Sequence, residues 1–365
     1  MKKTIYALCA AALLAVNAFA QESASTNIVG KEFPKVNPDR TVSFVINAPS
    51  AKTVAVDLGG RHQAVKNDKG QWEVTTTPIV PGFHYYSLII DGVKVSDPSS
   101  QQFFGGGIWT SGIEIPEINV DFYLDKDVPH GEVRMQRYWS ELTKSWRVCY
   151  VYVPPCYDEN LHRYPVLYLL HGAGEDETGW STQGKMYNIM DNLIDEGSAV
   201  PMIVVMDHGV ANIPEIKSAS MFDFTAYEKV VIEELIPMID SKYRTLADRE
   251  NRAICGLSLG GFQSWTIAMN NRDKFSWLGG FSGSGKGPGT TPDLYDASLN
   301  KDFHLMFIST GTKESPQMYA TVKNFHDILV NAGVKHVFFQ SAGTDHEWLT
   351  WRRSLYKFAP MLFKK

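Results

Sequence analysis

The chain has 365 residues, a formal net charge of −5 and an aromatic content of 12%. This length exceeds what one hydrophobic core usually holds, so it predicts two domains. The charges form no block of one sign, which argues against nucleic acid or an anionic membrane surface as a partner. The cysteines have neither a paired nor a metal-binding spacing, so we expect no metal site.

The N-terminal residues carry the features of an export signal. Lys2 and Lys3 precede an apolar run over residues 5–16, and small residues at positions 18 and 20 form a cleavage site. The run is too short to anchor the chain across a bilayer. We therefore expect a signal peptide over residues 1–20 and a soluble protein that is periplasmic or secreted.

Residues 28–117 contain short segments in which apolar side chains alternate, the period of strands with one buried face. Val42, Phe44 and Ile46 alternate in this way. Asp91 and Gly92 separate two such segments and are typical of a tight hairpin turn. The pattern predicts a small all-β sandwich over residues 28–117.

Several segments of this region resemble the immunoglobulin-like, early-set modules related to carbohydrate-binding family 48. These segments are residues 42–49, 70–72, 81–82 and 86–98. Some modules of that family bind glucan, whereas others only pack on a catalytic domain. Aromatic residues in strands usually belong to a core, but they also stack on sugars. The candidates for stacking are Trp72, Tyr85, Tyr86 and Trp109.

Residues 118–365 alternate between strand-like and helical patterns, as in a mostly parallel sheet with helices on both faces. Strands are predicted at residues 147–153, 166–170, 202–206, 252–255, 277–281, 304–309 and 336–340. Helices are predicted at residues 187–196, 226–239, 261–270, 316–332 and 347–363. The sequence thus predicts an α/β fold for this part of the chain, preceded by the small all-β sandwich.

The most informative motif joins one predicted strand to the helix that follows it. Gly256, Ser258 and Gly260 form a G-x-S-x-G pattern at this junction. A turn tight enough to expose a serine hydroxyl leaves no room for side chains at the two glycines. The pattern predicts a nucleophile elbow with Ser258 as the nucleophile, as in α/β-hydrolases.

A serine nucleophile needs a general base and an acid that orients the base. In α/β-hydrolases both follow the serine along the chain. His346 follows Ser258 on a loop beyond the last predicted strand, so it is the predicted base. Glu314, on the loop after the preceding strand, is the preferred acid, and Asp345 is the alternative.

Two backbone N–H groups are expected to stabilise the oxyanion that forms during acyl transfer. Leu259, the residue after the nucleophile, supplies one of them. The loop of Gly172, Ala173 and Gly174 supplies the other, most simply from Ala173. We expect His171 to brace this loop rather than to act as a second base.

Six segments of residues 118–365 together resemble the carbohydrate esterase family 1 group. They are residues 165–175, Trp180, 191–194, 201–206, 256–261 and 346–352. That group contains feruloyl and acetylxylan esterases and is similar to the enterochelin-esterase-like hydrolases. The resemblance implies Ser258 as nucleophile and His346 as base. It also supports Glu314 as the acid, although the family usually carries aspartate at this place.

The resemblance implies an exported serine esterase that removes feruloyl or related hydroxycinnamoyl groups from plant arabinoxylan, with no metal or organic cofactor. Its expected partners are feruloylated or acetylated xylan oligosaccharides. An acetylxylan esterase and a hydrolase of siderophores or other small esters are alternatives with the same fold. A glycan-binding protein with an idle hydrolase domain is the non-enzymatic alternative. Further positions expected to contact substrate are Gly172, Gly174, Trp180 and Trp348.

Overall fold

The computed structural model describes residues 21–217, 220–285 and 295–364. The predicted signal peptide over residues 1–20 lies outside the described residues. The chain divides into two compact units, Met1–Val80 with Ser87–Gln101 and Pro81–Tyr86 with Gln102–Lys365. Within the described ranges, no helix is both long and apolar enough to cross a bilayer.

The N-terminal region is all-β, as predicted. Its strands are β1 (Glu22–Ser23), β2 (Lys35–Val36), β3 (Val42–Ile46), β4 (Val54–Asp57), β5 (Arg61–Gln63), β6 (Val65–Lys66), β7 (Trp72–Thr75), β8 (Gly82–Ile90), β9 (Val93–Val95), β10 (Gln102–Gly105) and β11 (Ile108–Ile115). Strand β3 alternates between buried and half-buried side chains, because only one of its faces lies in the core. One antiparallel sheet has the order β1, β2, β3, β7, β6.

The second unit is built on a sheet of eight strands. They are β12 (Glu132–Ser140), β13 (Ser145–Val153), β14 (Val166–Leu170), β15 (Ile203–Asp207), β16 (Arg252–Gly256), β17 (Trp277–Phe281), β18 (Leu305–Gly311) and β19 (Val337–Ser341). Their order is β12, β13, β15, β14, β16, β17, β18, β19. The first two strands are antiparallel to their neighbours, and β15 to β19 pair in parallel. The predicted α/β fold is confirmed.

The helices that follow these strands occupy the predicted stretches within a few residues, except for the short helix Leu299–Asp302, which the sequence analysis did not predict. They are α1 (Met186–Asp195), α2 (Thr225–Lys229), α3 (Ile236–Lys242), α4 (Leu259–Asn270), α5 (Leu299–Asp302), α6 (Pro316–Asn331) and α7 (Trp348–Phe358). A π-helical stretch, Val230–Leu235, joins α2 to α3. Among the eight strands of this sheet, β12 has no counterpart in the sequence prediction. Most of its side chains are exposed or half-buried, so it lacks the apolar alternation that marks a strand.

The core lies on both faces of the eight-stranded sheet. Strand β14 shows this directly, because its side chains alternate between two hydrophobic clusters. Val166, Tyr168 and Leu170 belong to one cluster, and Leu167 and Leu169 belong to the other. A strand that is buried on both faces has a continuous apolar sequence, as this strand does. The carboxyl ends of β14, β16, β17 and β18 lead into the loops that carry the candidate site.

The division into units differs from the predicted boundary between residues 117 and 118. Strand β11 and the first half of β8 pair with each other inside the second unit. Phe83 and Phe103 belong to a core cluster of that unit. Arg352, fully buried in α7, makes a two-pronged ion pair with Glu114, with N–O distances of 2.7 and 2.8 Å. Residues 81–86 and 102–117 are thus part of the α/β unit, because they complete its core and pair a buried charge.

Candidate active site

Ser258 lies between β16 and α4 in a backbone conformation that few residues adopt. Its φ is 50° and its ψ is −117°, outside the regions that side-chain-bearing residues usually populate. A Cβ atom on Gly256 would lie 2.4 Å from the carbonyl oxygen of Gly260, and one on Gly260 would lie 2.4 Å from that of His171. Close backbone packing therefore requires both glycines, and the turn has the geometry of the predicted elbow.

Three side chains chosen from the sequence meet at this turn. His346 Nε2 lies 3.0 Å from Ser258 Oγ, and His346 Nδ1 lies 3.3 Å from Glu314 Oε2. A carboxylate can only accept, so Nδ1 carries the proton and Nε2 is left to accept from the serine hydroxyl. The arrangement of hydroxyl, imidazole and carboxylate can transfer a proton from Ser258 as it attacks a carbonyl carbon.

Glu314 is held as a carboxylate by its hydrogen bonds. Its side chain is fully buried, its Oε1 accepts from the Gly311 N–H at 2.8 Å and from Ser282 Oγ at 2.5 Å, and its Oε2 faces His346. Burial alone would raise the pKa of Glu314. The hydrogen bonds from His346, Gly311 and Ser282 outweigh burial and lower this pKa below its usual value. The carboxylate is therefore ionised at neutral pH.

Asp345, the alternative acid, is exposed and faces a different group. Its Oδ1 accepts from the backbone N–H of His346 at 2.7 Å. The hydrogen bonds in the described part of the chain put Glu314, and not Asp345, on the imidazole Nδ1. The physical reason is local, since a carboxylate next to the histidine reaches the main chain more easily than the ring.

The two predicted oxyanion positions flank the serine. Leu259 is the first residue of α4, so its N–H has no acceptor within the helix. Ala173 is exposed within a turn closed by a hydrogen bond from the Glu175 N–H to the Gly172 carbonyl at 3.3 Å. A Cβ atom on Gly172 would lie 3.3 Å from Ser258 Cβ, so this loop packs directly against the serine.

His171 braces the loop, as the sequence analysis expected. The Gly209 N–H donates to His171 Nε2 at 2.9 Å, so Nδ1 carries the proton and donates to the Gly172 carbonyl at 2.8 Å. Burial lowers the pKa of His171 to about 4. The ring is therefore neutral at neutral pH, and both of its nitrogens are engaged in holding the main chain.

The expectation that Trp180 and Trp348 contact substrate is not supported by their positions. Their side chains are 1% and 2% exposed, and both belong to the core cluster that also contains Phe281. Their rings meet edge to face at a centroid distance of 5.4 Å. Trp180 Nε1 donates to the Leu170 carbonyl at 3.0 Å. They are large apolar residues beneath the site, which hydrophobic burial accounts for.

Two residues that support the acid, Trp351 and Ser282, were not among the predicted site residues, although Trp351 lies in the segment 346–352 that carries the family resemblance. Trp351 Nε1 donates to Ser282 Oγ at 3.0 Å, and that hydroxyl donates to Glu314. The Trp351 ring also packs edge to face on His346, with a centroid distance of 5.1 Å. Ser282 has a φ of 54° directly after β17. Its positive φ is a signal of a constrained position, but the torsion is visible only in the structure.

Tyr85 on β8, which the sequence analysis named only as a candidate for stacking on sugar, supports the oxyanion loop. Its hydroxyl accepts from Gln183 Nε2 at 2.6 Å and from Trp348 Nε1 at 3.3 Å. It lies 3.4 Å from Glu175 Oε1, to which it can donate. Nearby, the Gly107 N–H donates to the Gly174 carbonyl at 2.8 Å. Tyr85 on β8 and the turn between β10 and β11 thus contact the loop that carries Ala173.

Glu175, at the end of this loop, is a buried carboxyl without a cationic partner in its described surroundings. Burial raises its pKa to about 8, and the charge of Asp176 acts in the same direction. The Gly172 N–H and the Tyr85 hydroxyl donate to it but do not offset the loss of hydration. At neutral pH the group is mostly neutral, which keeps a negative charge away from the position where an oxyanion would form.

The sequence is similar to known esterases and xylan-degrading enzymes. Residues 140–361 match the Esterase family. The chain is 43% identical to the endo-1,4-beta-xylanase/feruloyl esterase of Xylanibacter ruminicola, over 93% of this chain and 47% of that protein. It is 28% identical to endo-1,4-beta-xylanase Y of Acetivibrio thermocellus, over 67% of this chain and 24% of that protein. The chain therefore spans less than half the length of these relatives.

Solved structures share the fold. A CE1 ferulic acid esterase of Anaeromyces mucronatus, in complex with ferulic acid, has a TM-score of 0.60 and 27% identity, covering 69% of this chain and 98% of that one. The enterobactin esterase of Shigella flexneri, in the presence of enterobactin, has a TM-score of 0.64. Its identity is 15%, over 88% of this chain and 92% of that one, so it shows the fold alone. The predicted α/β-hydrolase class and the resemblance to carbohydrate esterase family 1 are confirmed.

Proposed function

We propose that this chain, which belongs to the Esterase family, is an exported serine esterase that releases feruloyl or related hydroxycinnamoyl groups from arabinoxylan fragments. The observation that carries the proposal is the hydrogen-bond chain from Glu314 through His346 to Ser258. The choice of acyl group and polysaccharide is supported by the 43% identity to an endo-1,4-beta-xylanase/feruloyl esterase and by the likeness to a ferulic acid esterase that binds ferulic acid.

In the proposed first step, Ser258 Oγ forms a bond to the ester carbonyl carbon while its proton passes to His346 Nε2. The ionised Glu314 stabilises the positive charge that develops on the imidazole. The carbonyl oxygen gains a negative charge, which the N–H groups of Leu259 and Ala173 are proposed to bind. A neutral Glu175 suits this step, because a second negative charge near the loop would oppose the oxyanion.

The tetrahedral intermediate then collapses to an acyl-enzyme. The bond between the carbonyl carbon and the sugar oxygen breaks, and His346 returns its proton to that oxygen, so the carbohydrate leaves as an alcohol. Water next gives a proton to His346 and attacks the acyl carbon. Release of the free acid returns the proton to Ser258. No proton is gained or lost over the cycle, because His346 takes each proton from Ser258 or water and passes it to the sugar oxygen or back to Ser258.

The proposal includes export, because an enzyme that acts on polysaccharide fragments encounters its substrate outside the cytoplasm. The support is the pattern of the first 20 residues, with two lysines, an apolar run and a small-residue cleavage site. The similarity to two endo-1,4-beta-xylanases agrees with an extracytoplasmic substrate. Fractionation of expressing cells tests this point, and retention of the uncleaved chain in the cytoplasm contradicts it.

The esterase proposal is tested by assaying the chain from residue 21 on methyl ferulate, feruloylated arabino-oligosaccharide and acetylated xylan, with Ser258→Ala as the control. We expect ferulate release that disappears in the variant. Acetate release without ferulate would reassign the chain as an acetylxylan esterase. Hydrolysis of a soluble siderophore lactone alone would favour the small-ester alternative, and glycan binding without any turnover would favour an idle hydrolase domain.

A further inference from the structure

The nine tryptophans of the chain fall into two groups. Six are buried, with at most 8% of their surface exposed, namely Trp72, Trp180, Trp265, Trp277, Trp348 and Trp351. The other three, Trp109, Trp139 and Trp146, are 55%, 45% and 60% exposed. Leaving a large aromatic ring in water forfeits the free energy of its burial, so clustered exposed rings indicate a binding surface.

All three exposed tryptophans lie in or next to one groove of the second unit. The groove has a volume of about 400 Å³, and Trp146 and Phe104 line it. Trp139 packs edge to face on Trp146, with a centroid distance of 5.8 Å. Trp109 packs on Phe104 in the same way, at 5.6 Å. Every exposed tryptophan therefore lines the groove or touches a residue that lines it.

The groove adjoins the loop that carries the proposed oxyanion position. Asp176 and Glu177, which line the groove, directly follow Glu175 at the end of that loop. His208, another lining residue, has its ring 5.6 Å from the ring of His171, which precedes Gly172. The groove therefore lies beside the same loop that packs against Ser258 at Gly172.

The polar groups of the groove suit a neutral, hydroxyl-rich ligand. Asp176 Oδ1 accepts from the Thr178 N–H at 2.9 Å, which fixes the carboxylate in place. Glu177 Oε2 pairs with His208 Nδ1 at 3.1 Å. Arg147, another lining residue, is buried and paired with Asp207 at 2.8 Å, and the Arg137 guanidinium lies over the Trp146 ring, 5.1 Å from its centroid. Carboxylates accept hydrogen bonds from sugar hydroxyls and repel anionic ligands such as acidic polysaccharides or nucleic acid.

We propose that this groove is a subsite for the glycan part of the ester substrate, with Trp146 as the platform on which a sugar ring stacks. The inference rests on the proposed function, because it assigns the carbohydrate side of the same substrate. Aromatic faces bind the C–H faces of sugar rings, while the carboxylates of Asp176 and Glu177 bind hydroxyls at the rim. The groove then selects esters on oligosaccharides over small alkyl esters.

Kinetics with two substrates separates a subsite from a general effect on the enzyme. For Trp146→Ala we expect kcat/KM on a feruloylated arabinoxylo-oligosaccharide to fall about tenfold, mainly through KM, because the lost stacking face binds only the glycan. On methyl ferulate kcat/KM should be unchanged. Trp146→Phe should keep most of the selectivity. Leu161→Ala, at a residue 89% exposed that does not line the groove, is the matched control.

Direct binding tests the subsite without turnover. The Ser258→Ala chain is titrated with unesterified arabinoxylo-oligosaccharide by isothermal titration calorimetry, and the Ser258→Ala, Trp146→Ala double variant is titrated in parallel. We expect saturable binding that is lost or strongly weakened in the double variant. Such binding supports the subsite even if the wild-type chain hydrolyses neither ester. Absence of hydrolysis would overturn the proposed function and not the subsite.

Three outcomes would overturn the inference. The first is an equal loss for Trp146→Ala on both substrates, which would make Trp146 a general structural residue. The second is glycan binding that does not depend on Trp146. The third is that the chain does not bind glycan but self-associates in sedimentation velocity, and that Trp146→Ala abolishes the self-association. This result would make the exposed rings a protein interface.

Discussion

At the scale of single residues, the candidate site depends on how Glu314 is held. The resemblance to carbohydrate esterase family 1 predicts aspartate at this position. The longer side chain of glutamate brings one oxygen to His346 while the other accepts from Gly311 and Ser282. These donors keep the pKa of the buried carboxyl below its usual value. A neutral residue of the same shape would orient the imidazole less well and would not stabilise its positive charge.

Replacing Glu314 by glutamine tests this role. We expect kcat to fall by about 10²–10⁴-fold with little change in KM, as when the acid of other triads is removed. The matched control is Asp345→Asn, which alters the exposed carboxylate on the His346 N–H and should keep most of the activity. Near-normal turnover in Glu314→Gln together with a large loss in Asp345→Asn would transfer the role to Asp345.

Glu175 predicts a specific dependence of stability on pH. Burial raises its folded pKa to about 8, whereas an exposed glutamate titrates near pH 4.3. Between these values the folded chain holds a proton that the unfolded chain lacks, so raising the pH favours unfolding. This loss of stability should be complete above about pH 8 and absent below about pH 4.

The measurement compares urea unfolding of the wild-type chain and Glu175→Gln from pH 5 to pH 8. The variant lacks the titrating group. As the pH rises, its free energy of unfolding should therefore increase relative to that of the wild-type chain. The exposed Glu215, changed to glutamine, serves as the control. If Glu175→Gln and wild type respond in parallel, the neutral state assigned to Glu175 is incorrect.

At the scale of elements, the oxyanion loop is fixed from two sides. His171 binds the loop's own Gly172 carbonyl and the Gly209 N–H on one side. On the other side, Tyr85 lies against Glu175, and Gly107 donates to Gly174. Short loops with exposed amides are easily displaced, so a site that needs a fixed N–H gains from such support.

Tyr85→Phe tests the support that Tyr85 gives. Removing the hydroxyl leaves the buried donors Gln183 Nε2 and Trp348 Nε1 without this acceptor, which we expect to cost about 1–3 kcal/mol of unfolding free energy. We also expect a fall in kcat larger than any rise in KM, because the loop acts on the transition state. Tyr150→Phe is the control, as its hydroxyl makes no hydrogen bond among those described. Unchanged stability and kcat in Tyr85→Phe would argue against this support.

At the scale of the whole molecule, the limits of the α/β unit matter for any truncation. Phe83 and Phe103 are part of its core, and Glu114 pairs with the buried Arg352. A chain that starts at residue 118 lacks all three residues. It retains the whole eight-stranded sheet, so the sequence pattern alone gives no reason to expect that it is unstable.

We expect the chain from residue 118 to unfold at a lower temperature than the chain from residue 21, or to aggregate on expression, because it exposes apolar core surface. Glu114→Ala in the longer chain isolates the ion pair. An unpaired buried guanidinium should cost about 3–5 kcal/mol of unfolding free energy, measured by urea denaturation. Equal thermal stability of the two chains would show that residues 81–117 are dispensable for folding of the α/β unit.

Much of the fold was predictable because its signals are local. The parallel strands are buried on both faces, so they appear as short apolar runs between helical patterns. Strand β12 was missed because most of its side chains are not buried. The boundary near residue 117 was drawn where the pattern changes from alternating strands to strands and helices. Membership of a core, however, depends on contacts between distant segments, such as Phe83 with the rest of its cluster.

By itself the sequence determined the strand-to-helix turn at Ser258, because the apolar strand, the G-x-S-x-G pattern and the helix that follows are all signals local to residues 252–270. It also predicted His346 as the partner, since His346 is the one histidine that follows the last strand in the sequence. Only the tertiary structure decided that Glu314 rather than Asp345 meets the imidazole, that Trp180 and Trp348 are core residues while Trp146 is exposed, and that Tyr85 supports the oxyanion loop. The reason is that burial and hydrogen bonding between residues far apart in the chain are set by packing, which spacing along the sequence does not encode.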